Sequence, residues 1–116
     1  MIKMALLCLA LTVFHESRGE PEKGQYAVAE VVMNRSVDRN LDVCSVVYEH
    51  GQFSNATKWK IPSDKDKSWN KALFIAQDVL DSNNATNYTN GATYFRVASL
   101  APKNKQVLRI GNHVFF

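Results

Sequence analysis

The sequence predicts an α+β domain, mainly helical, with a small antiparallel sheet at its C-terminal end. Residues 1–81 place apolar side chains at helical spacing, broken by Gly, Pro and Asn turns. The final third changes character: ATYFRV and QVLRIGNHVFF are rich in aromatic and branched residues, and Gly111-Asn112 separates two short runs as a hairpin turn does. A chain of 116 residues holds one core, so a single domain over 1–116 is expected.

The apolar run MALLCLALTV lies in a first helix over residues 2–17, which ends near Gly19 and Pro21. A second helix runs from Glu22 to Arg35, with Val28, Val31, Val32 and Arg35 on one stripe and Glu30 and Asn34 off it. VDRNLD is a polar break. Asp42 then caps a short helix with Val43, Val46 and Val47 on its apolar face, ending near Gly51. GQFSNATKWKIP is a loop. In SDKDKSWNKALFIAQDVLDS, Trp69, Ala72, Leu73, Ala76, Val79 and Leu80 make the clearest amphipathic stripe, followed by the loop NNATNYTNG.

Composition excludes more than it selects. Hydrophobic content is 46% and charged content 22%, ordinary for a globular domain. The net charge of +3 is mild, and no basic stripe with interleaved aromatics marks a nucleic-acid binder. A weak positive balance suits a polyanionic partner such as a bacterial envelope without selecting one. Cys8 and Cys44 read most simply as buried free thiols, since a pairing is not visible in sequence. His15, His50 and His113 are too dispersed for a zinc site, so no metal or cofactor is expected. Lys3 and the apolar run resemble the start of a signal peptide, but no small-residue cleavage site follows, and a buried first helix is the expectation. The run is also too short to span a membrane, which takes about 20 residues.

The segment FHESRGE, residues 14–20, puts charge at the end of the most apolar helix. A carboxylate at the rim of a core is desolvated, its pKa rises, and it holds a proton near neutral pH. Glycoside cleavage needs such a donor for the departing sugar oxygen. The plainer reading has Glu16 pairing with Arg18 or Arg35 to anchor helices. Glu20 lies four residues on, but Gly19 and Pro21 turn the chain there, so it supports the site or caps the next helix rather than acting as a second catalyst.

ESRGEPEKGQYAVAEVVMNR resembles the signature of SleB/CwlJ-type cell wall hydrolases: E-x-R-G-E, a short acidic turn, G-Q, A-V-A, then V-x-x-N-R. CSVVYEHGQFS, GATYF and IGNHVFF resemble three further blocks of that family, in order, across nearly the whole chain. The resemblance implies a compact lysozyme-like domain, similar to resuscitation-promoting factors and lytic transglycosylases. It implies cleavage of peptidoglycan between N-acetylmuramic acid and N-acetylglucosamine, with Glu16 as the catalytic glutamate followed by Ser17. The chain departs from the family at Tyr94-Phe95-Arg96-Val97, where a histidine and Phe-Tyr-Asn-Pro are usual, and in LAPKNKQ, which lacks a usual tryptophan. These departures bear on substrate contacts, not on the acid.

Candidate substrate-binding residues are Glu20, Gln52, Ser54, Thr93, Tyr94 and His113. Gln52 and Ser54 beside Phe53 suit sugar hydroxyls and an apolar sugar face. Thr93 and Tyr94 open the sheet region; His113 either contacts substrate or holds a neighbouring loop. Arg18 and Arg35 read as structural partners of the glutamates. With one supported carboxylate, the expected mechanism is substrate-assisted, giving a 1,6-anhydro product as in lytic transglycosylases. Attack by water, as in a muramidase, stays open, as does a peptidoglycan-binding module without turnover. The expected partner is the peptidoglycan glycan strand, met by a monomer without stable membrane insertion. The expected setting is a phage endolysin made in the cytoplasm and released to the wall by a separate membrane-permeabilising partner; a secreted bacterial enzyme is the alternative.

Overall fold

A computed structural model describes residues 3–49, 56–83 and 85–116. Four helices come first: α1 over Met4–Ser17, α2 over Glu22–Arg39, α3 over Val43–Tyr48 and α4 over Lys67–Asp81. The strands β1 (Phe95–Val97), β2 (Leu108–Ile110) and β3 (His113–Phe115) close the chain as an antiparallel sheet of order β1-β3-β2. The expected α+β architecture is therefore what the chain adopts.

The helix α1 is enclosed almost all round because its sequence offers no polar face until His15. Cys8 to Phe14 are all buried, packed against α2, α3 and α4. Its one mid-helix hydroxyl, Thr12 Oγ1, donates to the Cys8 carbonyl at 2.9 Å, so no buried polar group is left over there. The helix α2 works on two fronts. Tyr26, Ala29 and Val32 join the core around α1, whereas Ala27, Val28 and Val31 pack with Ile110 and Phe115 of the sheet. A helix buried on both sides has no clean stripe. It also runs one turn beyond the expected Arg35, through Ser36-Val37-Asp38-Arg39, until Asn40 stops it in the left-handed conformation at φ 52°.

The shorter elements follow their caps. Asp42 accepts from Ser45 N at 2.8 Å and starts α3, and Asp66 accepts from Trp69 N at 3.0 Å and starts α4. The buried face of α4 is Trp69, Ala72, Ile75, Ala76 and Val79, with Leu73 and Leu80 at its half-buried edge. Cys8 and Cys44 are not free thiols: they form a disulfide between α1 and α3, with Cα atoms 5.3 Å apart. Two helices packed side by side bring residues 36 apart in sequence within bridging distance. None of the described helices is long and apolar enough to cross a membrane.

Candidate active site

Glu16 sits one residue before the end of α1, where the helix emerges from the core. The next residue, Ser17, is buried and turns its hydroxyl back to the Val13 carbonyl at 2.6 Å, which spends its polarity inside the helix. Glu16 itself is half-buried, and burial raises its pKa above the ordinary carboxylate value. Among the described residues no hydrogen bond or ion pair meets this carboxylate, so neither Arg18 nor Arg35 neutralises it. The plainer reading of Glu16 as a helix anchor thus lacks its partner. The guanidinium of Arg18 instead lies over the Phe14 ring, 4.7 Å from its centre. Arg35 donates through Nε to the Thr93 carbonyl and lies 4.9 Å from the centre of the Tyr94 ring.

One side of this helix end is covered by aromatics. His15 stacks on Trp59 with centroids 5.0 Å apart and planes 13° from parallel, and its Nε2 lies 3.2 Å from the Lys60 carbonyl. Phe14 meets Trp69 edge-on at 5.8 Å. These contacts seat the Trp59-Lys60 segment against the last turn of α1.

Glu20 and His113 come together. Glu20 Oε1 accepts from the Asn112 backbone N–H at 2.8 Å, Oε2 faces the Asn112 amide at 3.3 Å, and His113 Nδ1 lies 3.7 Å from Oε1. The carboxylate thereby ties the turn after α1 to the β2–β3 hairpin. Gly111 makes the approach possible: it has φ +60°, and a Cβ there would stand 2.6 Å from Glu20 Oε1 and 2.8 Å from Pro21 Cδ. His113 is buried, and desolvation lowers its pKa, opposed by the Glu20 charge.

Thr93 and Tyr94 lie elsewhere on the sheet. Both donate their backbone N–H to the Phe116 carbonyl, at 3.2 and 3.0 Å, extending the β1–β3 pairing beyond the strands. The exposed Tyr94 ring stacks on Phe116 at 5.9 Å, and its hydroxyl lies 3.4 Å from Arg39 Nη2. Gln52 and Ser54, with Phe53, lie outside the described residues. No hydrogen bond or ion pair joins Glu16 to the Glu20–His113 pair or to the Thr93–Tyr94 pair among the described residues. Nor do those residues gather three or more His, Cys, Asp or Glu side chains able to hold a metal ion.

Glu30 is the buried residue that the sequence stripe conceals. It is fully buried in the middle of α2, and four donors from one loop converge on it. Oε2 accepts from Thr86 Oγ1 at 2.6 Å and Tyr88 N at 2.9 Å; Oε1 accepts from Thr89 N and Thr89 Oγ1, both at 2.9 Å. Asn34, one turn on, donates to the Ala92 carbonyl at 2.8 Å. Together they fasten the loop that leads into Thr93 and Tyr94. The available signal was Glu30 and Asn34 at i and i+4, with a Thr/Asn-rich loop downstream that needed acceptors.

Comparisons with known proteins give the family and the fold. The pattern of the family described as Cell Wall Hydrolase matches residues 19–116. The spore cortex-lytic enzyme of Halalkalibacterium halodurans is 32% identical over 114 residues, covering 92% of this chain and 33% of that protein. That of Bacillus cereus is also 32% identical over 114 residues, covering 92% of this chain and 42% of its own length. The chain thus spans about a third to two fifths of these relatives. The catalytic domain of the germination-specific lytic transglycosylase SleB from Bacillus anthracis superposes with a TM-score of 0.73 at 28% identity, covering 99% of this chain and 95% of that one. The catalytic domain of the Bacillus cereus SleB protein gives 0.69 at 28% identity, with 99% and 91% covered. The family pattern begins at Gly19, so the helix bearing Glu16 falls within the structural likenesses rather than within that pattern. With residues 19–116 matched and the fold shared along its whole length, this chain belongs to the cell wall hydrolase family.

Proposed function

We propose that the chain is a peptidoglycan glycosidase that cleaves the β-1,4 bond between N-acetylmuramic acid and N-acetylglucosamine, with Glu16 as its single acid/base, by the lytic transglycosylase route. The observation that carries this is the Glu16 carboxylate at the rim of the core, unpartnered among the described residues and shifted toward its protonated form by burial. The spore cortex-lytic relatives and the SleB lytic transglycosylase domain supply the substrate class.

In this reading the Glu16 carboxyl donates its proton to the glycosidic oxygen as the bond from that oxygen to muramic C1 breaks. The 6-hydroxyl of the same muramic sugar attacks C1 and gives its proton to the Glu16 carboxylate, which regenerates the acid. No water is consumed, and the product ends in 1,6-anhydromuramic acid. Gln52, Ser54, Thr93, Tyr94 and His113 are assigned to substrate, and Glu20 supports His113 and the hairpin turn beside it.

The test is mass spectrometry of the soluble products from purified sacculi digested by wild type and by Glu16→Gln. Anhydromuramic ends with wild type and no release with the variant are expected. Reducing muramic ends would make the enzyme a muramidase with the same acid. Equal release by both proteins would remove Glu16 from the chemistry, and no release by either would leave a binding module. We assign the setting to a phage endolysin that acts once a separate protein opens the membrane. Cells expressing the chain in the cytoplasm are then expected to stay intact until the membrane is permeabilised and to lyse at once afterwards. Lysis without permeabilisation would refute that setting.

A further inference from the structure

Charge is unevenly divided along this chain. Residues 82–116 hold four of the fourteen basic residues and none of the eleven acidic ones, a net +4 against −1 for the rest. The sheet turns part of that charge outward. In the register of the three strands, Arg96 and Arg109 lie on either side of Val114, and residues directly opposite across strands project from the same face. The other face carries Ile110 and Phe115 into the contact with α2. Both arginines are exposed, whereas Val114 between them is only 3% exposed. Arginine stems lying along an apolar residue leave their guanidinium groups in water. The two strand spacings set the arginine Cα atoms about 10 Å apart.

These cations are available. Among the described residues neither arginine makes an ion pair; Arg109 Nε donates only to the Gly111 carbonyl, at 3.0 Å. The carboxylates that reach this part of the fold are already engaged: Glu20 with Asn112, Glu30 with the 86–89 loop and Glu49 with Arg39. Lys103 and Lys105, in the β1–β2 connection, add two more exposed charges.

We propose that this sheet face docks a phosphodiester polymer of the bacterial cell envelope and so holds the domain on the wall independently of the cleavage site. Charge complementarity selects the occupant. A polymer with one phosphate per repeat meets several separated cations at once, and planar guanidinium groups bind phosphate oxygens in pairs. A stem peptide offers only one or two carboxylates. A nucleic acid would in addition call for aromatic faces between the cations. Here the intervening residue is Val114, and the nearby Tyr94 ring is stacked on Phe116 and Arg35.

The experiment measures binding of Glu16→Gln, which leaves walls undigested, to Gram-positive walls before and after hydrofluoric acid removes their poly(glycerol phosphate). Binding to intact walls is expected to weaken as salt rises and to fall about tenfold on stripped walls, as expected for loss of a few phosphate contacts. Adding Arg96→Gln and Arg109→Gln is expected to cause the same fall on intact walls, while Arg96→Lys and Arg109→Lys retain most binding. In the Glu16 background, the two glutamine substitutions are expected to leave cleavage of stripped walls and the melting temperature unchanged. Equal binding to intact and stripped walls overturns the proposal. So does a loss of binding on stripped walls caused by the glutamine substitutions, which would assign the face to glycan or peptide. Stronger displacement by duplex DNA than by soluble poly(glycerol phosphate) would overturn it in favour of a nucleic acid.

Discussion

Replacing Glu30 with glutamine changes one atom group in the middle of α2 and disturbs four hydrogen bonds. Both carboxylate oxygens accept two donors each, and two of the four donors are backbone N–H groups of Tyr88 and Thr89. An amide has one accepting oxygen. Wherever its NH2 is placed, it faces a backbone N–H that cannot turn away, whereas a threonine hydroxyl can rotate and accept instead. One buried donor is therefore stranded, at about 1–3 kcal/mol, and the remaining bonds lose the charge that strengthened them. We expect Glu30→Gln to destabilise the fold by about 2–4 kcal/mol, a large share of the roughly 5–15 kcal/mol typical of a domain. Glu30→Ala strands every donor and leaves a cavity, so its cost is larger. Urea unfolding followed by circular dichroism at fixed pH measures both. A Glu30→Gln variant within about 0.5 kcal/mol of wild type would mean that the loop finds other partners and that the carboxylate is not what fastens it.

Two further outcomes follow from the site. Gly111→Ala forces a side chain into a left-handed backbone and against Glu20 and Pro21, so a loss of about 1–3 kcal/mol is expected in the same unfolding assay. The raised pKa of Glu16 means that the folded state holds its proton more tightly than the unfolded state does. Its charged form thus costs stability, a cost absent below the ordinary value of 4.5 and complete above the raised value. Glu16→Gln is accordingly expected to gain stability relative to wild type as pH rises through that window, and wall cleavage by wild type to fall as the acid loses its proton. A stability difference that does not change with pH would refute the desolvated acid.

What sequence reveals here depends on whether the cause is local. The helix α4 was legible because its apolar stripe is set within one stretch of chain. The hairpin at Gly111-Asn112 was legible for the same reason. The position of Glu16 at the rim of the core was legible because its anomaly, a carboxylate ending an apolar helix, is also local. The last turn of α2 was hidden since Val37-Asp38-Arg39 carries no apolar periodicity; that turn ends at a left-handed Asn40 instead. Glu30 and the Cys8–Cys44 pair were hidden for a different reason. Their partners lie 56 to 59 residues away for Glu30 and 36 away for the cysteines; the packing of α2 with α4 brings the first together and that of α1 with α3 the second.

The disulfide gives the chain a covalent ring. Residues 8–44, with all of α2 and the exposed link from Asn40 to Asp42, lie inside it, so a protease that cuts this link opens the backbone without dividing the molecule. The N-terminal segment bearing α1 and Glu16 stays joined to α3 through sulfur, and the helices on either side of the nick keep one another at hand. An enzyme that works in debris rich in released proteases would gain working life from that topology, and it would lose the advantage wherever thiols keep Cys8 and Cys44 reduced.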